Sequence, residues 1–139
     1  MPEITVAQFN DIIEDELPWA HELGVKATEI GAGTATLMIP YDAKMLRPGG
    51  TMSGPTMMML ADACMYAVVL SEIGIVKLAV TTNLNINFLR KPEPRNLVAK
   101  GSMLKLGKRL AVMAVDVYSE GSDDLVAHTT GTYSIPPKG

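Results

Sequence analysis

The sequence predicts an α+β protein in which one long buried helix is wrapped by a curved antiparallel sheet. Three observations carry that expectation. The run 55–73 is apolar around its whole circumference, with Asp62 the only charge before Glu72 near its end, the mark of a helix buried on most sides. After it the pattern changes to period two, with Leu84, Ile86 and Phe88 alternating against Asn83, Asn85 and Asn87. The remaining apolar stretches are short and separated by turn formers, as antiparallel strands are.

Each element follows from its residues. A short helix is expected at about 5–16, where Phe9, Ile12 and Ile13 interleave with Asp11, Glu14 and Asp15. Thr5 suits its cap, and Pro18 and Trp19 end it. Val25–Ile30 and Thr34–Ile39 read as strands joined by a Gly31-Ala32-Gly33 hairpin turn. The stretch from Pro40 to Gly50 reads as a loop, with turn formers Pro48, Gly49 and Gly50 near its end. Pro55 fits the first position of the long helix and Gly74 fits the cap beyond its end. That span is roughly 28 Å at 1.5 Å per residue. Leu78–Arg90, Asn96–Leu106, Leu110–Tyr118 and Leu125–Ile135 are four further strands. Lys91-Pro92-Glu93-Pro94 stops the first of them, and Gly107-Lys108 and Glu120–Asp124 are turns. No repeat or linker interrupts the chain, so a single domain is expected over 1–139.

Composition narrows the function. Of 139 residues, 47% are hydrophobic and 19% charged, which supports a packed core and argues against disorder. The net charge is −3 and no dense Lys/Arg run occurs, so nucleic acid is not an expected partner. Cys64 is the only cysteine, which rules out an internal disulfide and a cysteine zinc cluster. His21 and His128 lie far apart in sequence, and no metal is expected. The N-terminus, Met-Pro-Glu-Ile-Thr, has neither the basic nor the apolar region of a signal peptide. The apolar stretch Met57–Leu70 is shorter than the ~20 residues of a membrane span and carries Asp62 near its middle. A cytoplasmic protein without a membrane partner is expected.

Asp62 is the most informative residue. It is the only charge between Arg47 and Glu72, and an ionised carboxylate inside an apolar helix costs several kcal/mol unless paired. Its residue type fits either a structural carboxylate bonded to nearby groups or a catalytic one. Ser53-Gly54-Pro55-Thr56 forms the entry to the same helix. The first N–H groups of a helix lack internal partners and carry partial positive charge. They suit an oxygen that turns negative, and they equally suit a plain capped start. Pro55 has no N–H, so Gly54 and Thr56 are the backbone donors available.

The element order and these motifs resemble the hotdog fold of the hydroxybenzoyl-CoA thioesterase superfamily, and within it the phenylacetate-pathway, PaaI-like branch. The segment Ser53–Asp62, S-G-P-T-M-M-M-L-A-D, is similar to the family pattern of H-G-G, six residues and D. The resemblance implies that the Gly54 N–H polarises a thioester carbonyl and that Asp62 is the base or nucleophile. V-T-T-N-L-N-I-N-F-L-R resembles the family's next strand, in which Thr81 matches a Ser/Thr that helps hold the water. Ser53 stands at the family's histidine, Pro55 at its second glycine, and Arg47 where Asn or Gln is frequent. Ser53, Thr56, Arg47 and Asn83 are candidate substrate-binding residues.

Spacing adds an independent point. Gly54 and Asp62 are eight residues apart, or ~12 Å along a helix axis, too far to serve one carbonyl carbon from one chain. A shared site therefore needs a second subunit. Family members pair in this way, and the resemblance implies at least a homodimer, with tetramers of two dimers common. Arg90, Lys91, Lys105, Lys108 and Arg109 fall at strand ends and turns. They are either solvated turn residues or partners for the phosphates of coenzyme A, and Arg90, Lys91, Lys108 and Arg109 are carried as substrate-binding candidates. Met57, Met58, Met59 and Met65, among ten methionines, fill the core or line an adaptable acyl pocket. His128 reads as structural. The expected activity is acyl-CoA hydrolysis without a metal or redox cofactor. A non-catalytic acyl-CoA binder on the same fold is the alternative. A hydratase is a weaker one, because no histidine lies in the helix region.

Overall fold

Local chemistry sets both ends of the first helix in the computed structural model, which describes residues 1–41, 46–47 and 51–137. Thr5 accepts a hydrogen bond from the Gln8 N–H, and the Gln8 side chain accepts one from the Thr5 N–H. This capping box starts α1 (Val6–Glu16), which buries Phe9, Ile12 and Ile13. The chain then turns at Leu17 directly into a second short helix, α2 (Pro18–Glu22). Pro18 thus ends one helix and opens another, because its missing N–H and fixed φ suit a first helical position.

The hairpin β1 (Lys26–Gly31) and β2 (Thr34–Ile39) turns at Gly33, whose φ of +79° places it in the left-handed region. β3 (Leu46–Arg47), inside the stretch read as a loop, and β4 (Thr51–Met52), just after it, form a two-stranded ribbon. There follow α3 (Gly54–Ile73), β5 (Val80–Phe88), β6 (Leu97–Leu106), β7 (Leu110–Ser119) and β8 (Leu125–Ser134). The main sheet has six antiparallel strands in the order β1-β2-β6-β7-β8-β5, and α3 lies against its inner face. This is the hotdog fold: a curved antiparallel sheet wrapped on one long helix.

Alternation explains the core. Ala111, Met113, Val115 and Val117 of β7 are buried beneath α3, as are Ala127, Thr129 and Tyr133 of β8. Close approach of helix to sheet needs glycine at two points. A Cβ on Gly101 would lie 2.9 Å from Val68, and one on Gly131 would lie 2.5 Å from the Met65 Sδ. From Leu60 to Ser71 every residue of α3 is buried except Asp62. By length and composition α3 could span a membrane, but two-thirds of its most apolar window is covered by the fold.

The two sheet edges differ. At β1, the Asn10 side chain accepts from the Ala27 N–H (2.8 Å) and donates to the Ala27 C=O (3.2 Å), standing in for a neighbouring strand. At β5 no described residue covers the outer edge, and Val80, Phe88 and the following Leu89 are half exposed.

Candidate active site

Three elements converge on Asp62. It sits two turns into α3 and is half-buried, in contrast to the sealed residues around it. The Thr81 hydroxyl of β5 donates to its Oδ1 at 2.7 Å. The Tyr133 hydroxyl of β8 lies 3.0 Å from the same Oδ1 and 3.1 Å from the Asp62 backbone carbonyl oxygen. Charge-assisted bonds of this kind offset the cost of drawing a carboxylate into a helix face. Oδ2 has no hydrogen bond to any described residue, and it is not sealed from solvent.

A β-bulge puts Thr81 in place. Along β5, Leu84 and Ile86 pack toward the core while Asn83, Asn85 and Asn87 are exposed. Strict alternation would put Thr81 on the asparagine face. The register shifts between Thr81 and Asn83, leaving Thr82 as the extra residue, so Thr81 pairs with inward-facing Tyr133. Asn83 pairs with Thr132 and faces outward, on the opposite side of the sheet from Asp62, so within this chain it does not join the site.

Two cavities meet at Asp62 and Thr81. One, of about 400 Å³, is lined by Leu17, Trp19, Tyr66, Ala79 and Tyr133 and rimmed by the Glu16–Lys77 ion pair (3.0 Å). The other, of about 530 Å³, runs along the open face of α3 past Pro55, Met58, Met59 and Leu84. Trp19, which the sequence suggested only as a helix stop, lines both.

The helix entrance lies elsewhere. Ser53 caps α3: its Oγ accepts from the Thr56 N–H (3.3 Å) and hydrogen-bonds the Thr56 hydroxyl (2.8 Å). The Met57 N–H goes to the Ser53 carbonyl, and Pro55 has none to give. Thr56 is therefore not an open donor as the sequence suggested. The Gly54 N–H is the one in the first turn with no hydrogen bond to a described residue. Gly54 packs against the Phe88 ring, at the far end of β5 from Thr81.

The cationic candidates do not gather within one chain. Arg90 and Lys91 follow the Phe88 end of β5, with Arg90 3.5 Å from Asp124. Lys108 and Arg109 precede β7 at the opposite end, where the Ile135 N–H donates to the Arg109 carbonyl. Arg47 belongs to the short ribbon, and the expectation for its side chain falls outside the described residues. His128 hydrogen-bonds Asp116 at 2.6 Å, half exposed on the outer face of the sheet and away from Asp62. Among the described residues no group of three or more His, Cys, Asp or Glu could hold a metal ion.

Tyr133 is the site residue that sequence reasoning missed. Burial, and next the negative charge of Asp62, push its hydroxyl far above the usual tyrosine range, so it is a hydrogen-bond donor at any working pH.

A long core helix wrapped by six antiparallel strands is the fold of the hotdog thioesterases, and the chain is of their PaaI-like type. The chain belongs to the thioesterase superfamily, whose family model matches residues 49–126, a span that holds Gly54, Asp62 and Thr81. A candidate thioesterase from Silicibacter sp. TM1040 is 39% identical, with 99% of this chain and 95% of that one covered and a TM-score of 0.90. A mutant of the phenylacetic acid degradation protein PaaI from Thermus thermophilus is 28% identical, with 86% and 99% covered and a TM-score of 0.76. A candidate esterase from Saccharolobus solfataricus is 27% identical over 135 residues, covering 96% of this chain and 87% of its own.

Proposed function

We propose that this protein hydrolyses acyl-CoA thioesters at a site shared by two copies of the chain. The observation that carries this reading is the setting of Asp62. Its carboxylate is held at Oδ1 by hydroxyls and open at Oδ2 where two cavities meet, in a chain of the thioesterase superfamily.

The chemistry follows from donor counts. The Thr81 hydroxyl spends its only proton on Asp62, so toward water it acts as an acceptor. A water that donates one proton to Oδ2 and the other to the Thr81 Oγ1 has a lone pair left to attack the thioester carbon. As the C–O bond forms, the proton passes to Oδ2 and the carbonyl oxygen becomes negative. The Gly54 N–H, backed by the partial positive charge of the helix start, receives that oxyanion. Collapse breaks the C–S bond, and the departing thiolate takes the proton from Asp62. Direct attack by Oδ2, giving a mixed anhydride that water then opens, uses the same groups. Either route uses protein groups and water alone.

Two features support the shared site. Gly54 and Asp62 are ~12 Å apart along α3 and lie toward opposite ends of β5. The β5 edge is open and partly apolar, whereas the β1 edge is blocked by Asn10. Two β5 edges paired antiparallel about a two-fold axis would bring Gly54 of one chain toward Asp62 of the other. The same pairing would carry Arg90 and Lys91 of one chain toward Lys108 and Arg109 of the other, gathering cations for the coenzyme phosphates.

The test is hydrolysis of an acyl-CoA panel by wild type and Asp62→Asn. The variant keeps the shape and loses the base, so its rate should fall ~10²-fold or more with the fold intact. Near wild-type hydrolysis by Asp62→Asn would remove Asp62 from the chemistry. A wild type that binds acyl-CoA without turnover would mark a binding protein.

A further inference from the structure

We infer that Tyr133 is a positioning residue for Asp62: together with Thr81 it loads both hydroxyl donors onto Oδ1 and so reserves Oδ2 as the reacting oxygen. The inference rests on the thioesterase reading above, but the hydrogen bond itself can be tested without turnover. Tyr133 sits opposite Thr81 in the β5–β8 register, so the two hydroxyls reach the carboxylate from neighbouring strands. A carboxylate on a single-bonded stem can rotate, and one donor would leave it free to swing about that contact. Two donors on one oxygen, with the same phenol also 3.1 Å from the Asp62 main-chain carbonyl, fix the plane of the group against its own helix.

The phenol is itself held. The residue is 4% exposed and its ring stacks on Tyr66, with centroids 6.1 Å apart and planes 18° from parallel. Tyr66 meets Phe9 edge-on at 6.0 Å, and its hydroxyl donates to the Lys77 carbonyl just ahead of β5. The contacts therefore tie α1, α3, β8 and the approach to β5 around one carboxylate. Because burial and the nearby negative charge keep the phenol protonated, it cannot compete with Asp62 as a base.

The test uses Tyr133→Phe, which keeps the ring stack and removes only the hydroxyl. Thermal unfolding checks that the fold persists. On an acyl-CoA substrate, kcat is expected to fall about tenfold or more while KM stays within about twofold, since the lost bond acts on the reacting group and not on binding. A hydroxyl that donates to a carboxylate favours its ionised form. Without it the acid limb of the rate profile should move to higher pH. The other titratable groups facing Asp62 are Glu16 of α1, Tyr66 of α3 and Lys77 ahead of β5, all unchanged in the variant. Thr81→Val should move the limb in the same direction, and Thr81→Ser should restore it. An unmoved limb in Tyr133→Phe, whether or not kcat drops, would reduce Tyr133 to ring packing and overturn the inference.

Carbon-13 NMR titration of the aspartate carboxyls, with Asp62 assigned by its loss in Asp62→Asn, reads the same shift without substrate. If wild type hydrolyses no thioester, the function fails while this measurement still decides the clamp. If Tyr133→Phe does not fold, the wild-type protein remains a test. Its Tyr133 hydroxyl proton should appear as a slowly exchanging resonance that moves in Asp62→Asn, and its absence would overturn the inference.

Discussion

If Asp62 and Gly54 act on one carbonyl from different chains, two inactive variants should repair each other. The perturbations can be sized from the structure. Asp62→Asn leaves the Thr81 and Tyr133 contacts geometrically possible and removes the base. At Gly54 even a single Cβ would lie 3.1 Å from the Phe88 Cζ, so the branched side chain of Gly54→Val must displace the ring or the helix entrance. Either movement shifts an N–H that has to lie within about 3 Å of the developing oxyanion. Each homodimer then carries two damaged sites. In a mixed dimer one site receives both defects and the other neither. Random reassociation makes roughly half the dimers mixed, each with one intact site of two, so about a quarter of wild-type site activity should return. The assay is co-refolding of the two variants, followed by thioester hydrolysis and by mass measurement that counts the mixed species. Mixed dimers without recovered activity would place both roles in one chain and refute the ~12 Å argument.

Lysine at Val80 and Phe88 should block edge pairing of β5, so Val80→Lys with Phe88→Lys should give monomers in light scattering and lose hydrolysis with the dimer; an intact dimer would move the interface elsewhere. Gly131→Ala should cost about 1–3 kcal/mol in urea unfolding, because its Cβ meets both the Met65 Sδ at 2.5 Å and the Asn83 main-chain oxygen at 2.9 Å. A cost below about 0.5 kcal/mol would mean that helix and sheet separate easily there. Burial pushes the Cys64 thiol up to about 12, so at pH 8 it should resist a thiol-reactive dye until the protein unfolds; rapid labelling of the native protein would contradict its burial.

The fold was legible because its two periodicities are pure. An apolar run with one charge can only be a helix with cover on nearly all sides, and the Leu84-Asn85-Ile86-Asn87 alternation can only be a strand with one face in. What escaped was local and lay at proline and glycine. Pro18 read as a stop, yet the same residue opens α2, since a proline that cannot continue one helix is well suited to begin another. The β3–β4 ribbon pairs only two residues on each side, too few for any period to appear.

The candidate site divides along the same line. Asp62 stands out because a carboxylate in an apolar helix demands an explanation, and Gly54 because a cap leaves few N–H groups open. Thr81 was matched by family pattern, while alternation alone would have turned it away from Asp62, because the bulge at Thr82 reverses the parity of everything before it. Tyr133 carried no motif at all. Its one sequence signal is its place in β8, where Ala127, Thr129 and Gly131 keep the inward row small beneath α3 and the row then ends in a phenol. A large polar side chain at the end of a row of small ones brings its hydroxyl up to the helix, and the hydroxyl needs a partner there. The partner is the one carboxylate on α3 that faces it, so the residue that seemed costly on the helix and the residue that seemed out of scale on the strand account for each other.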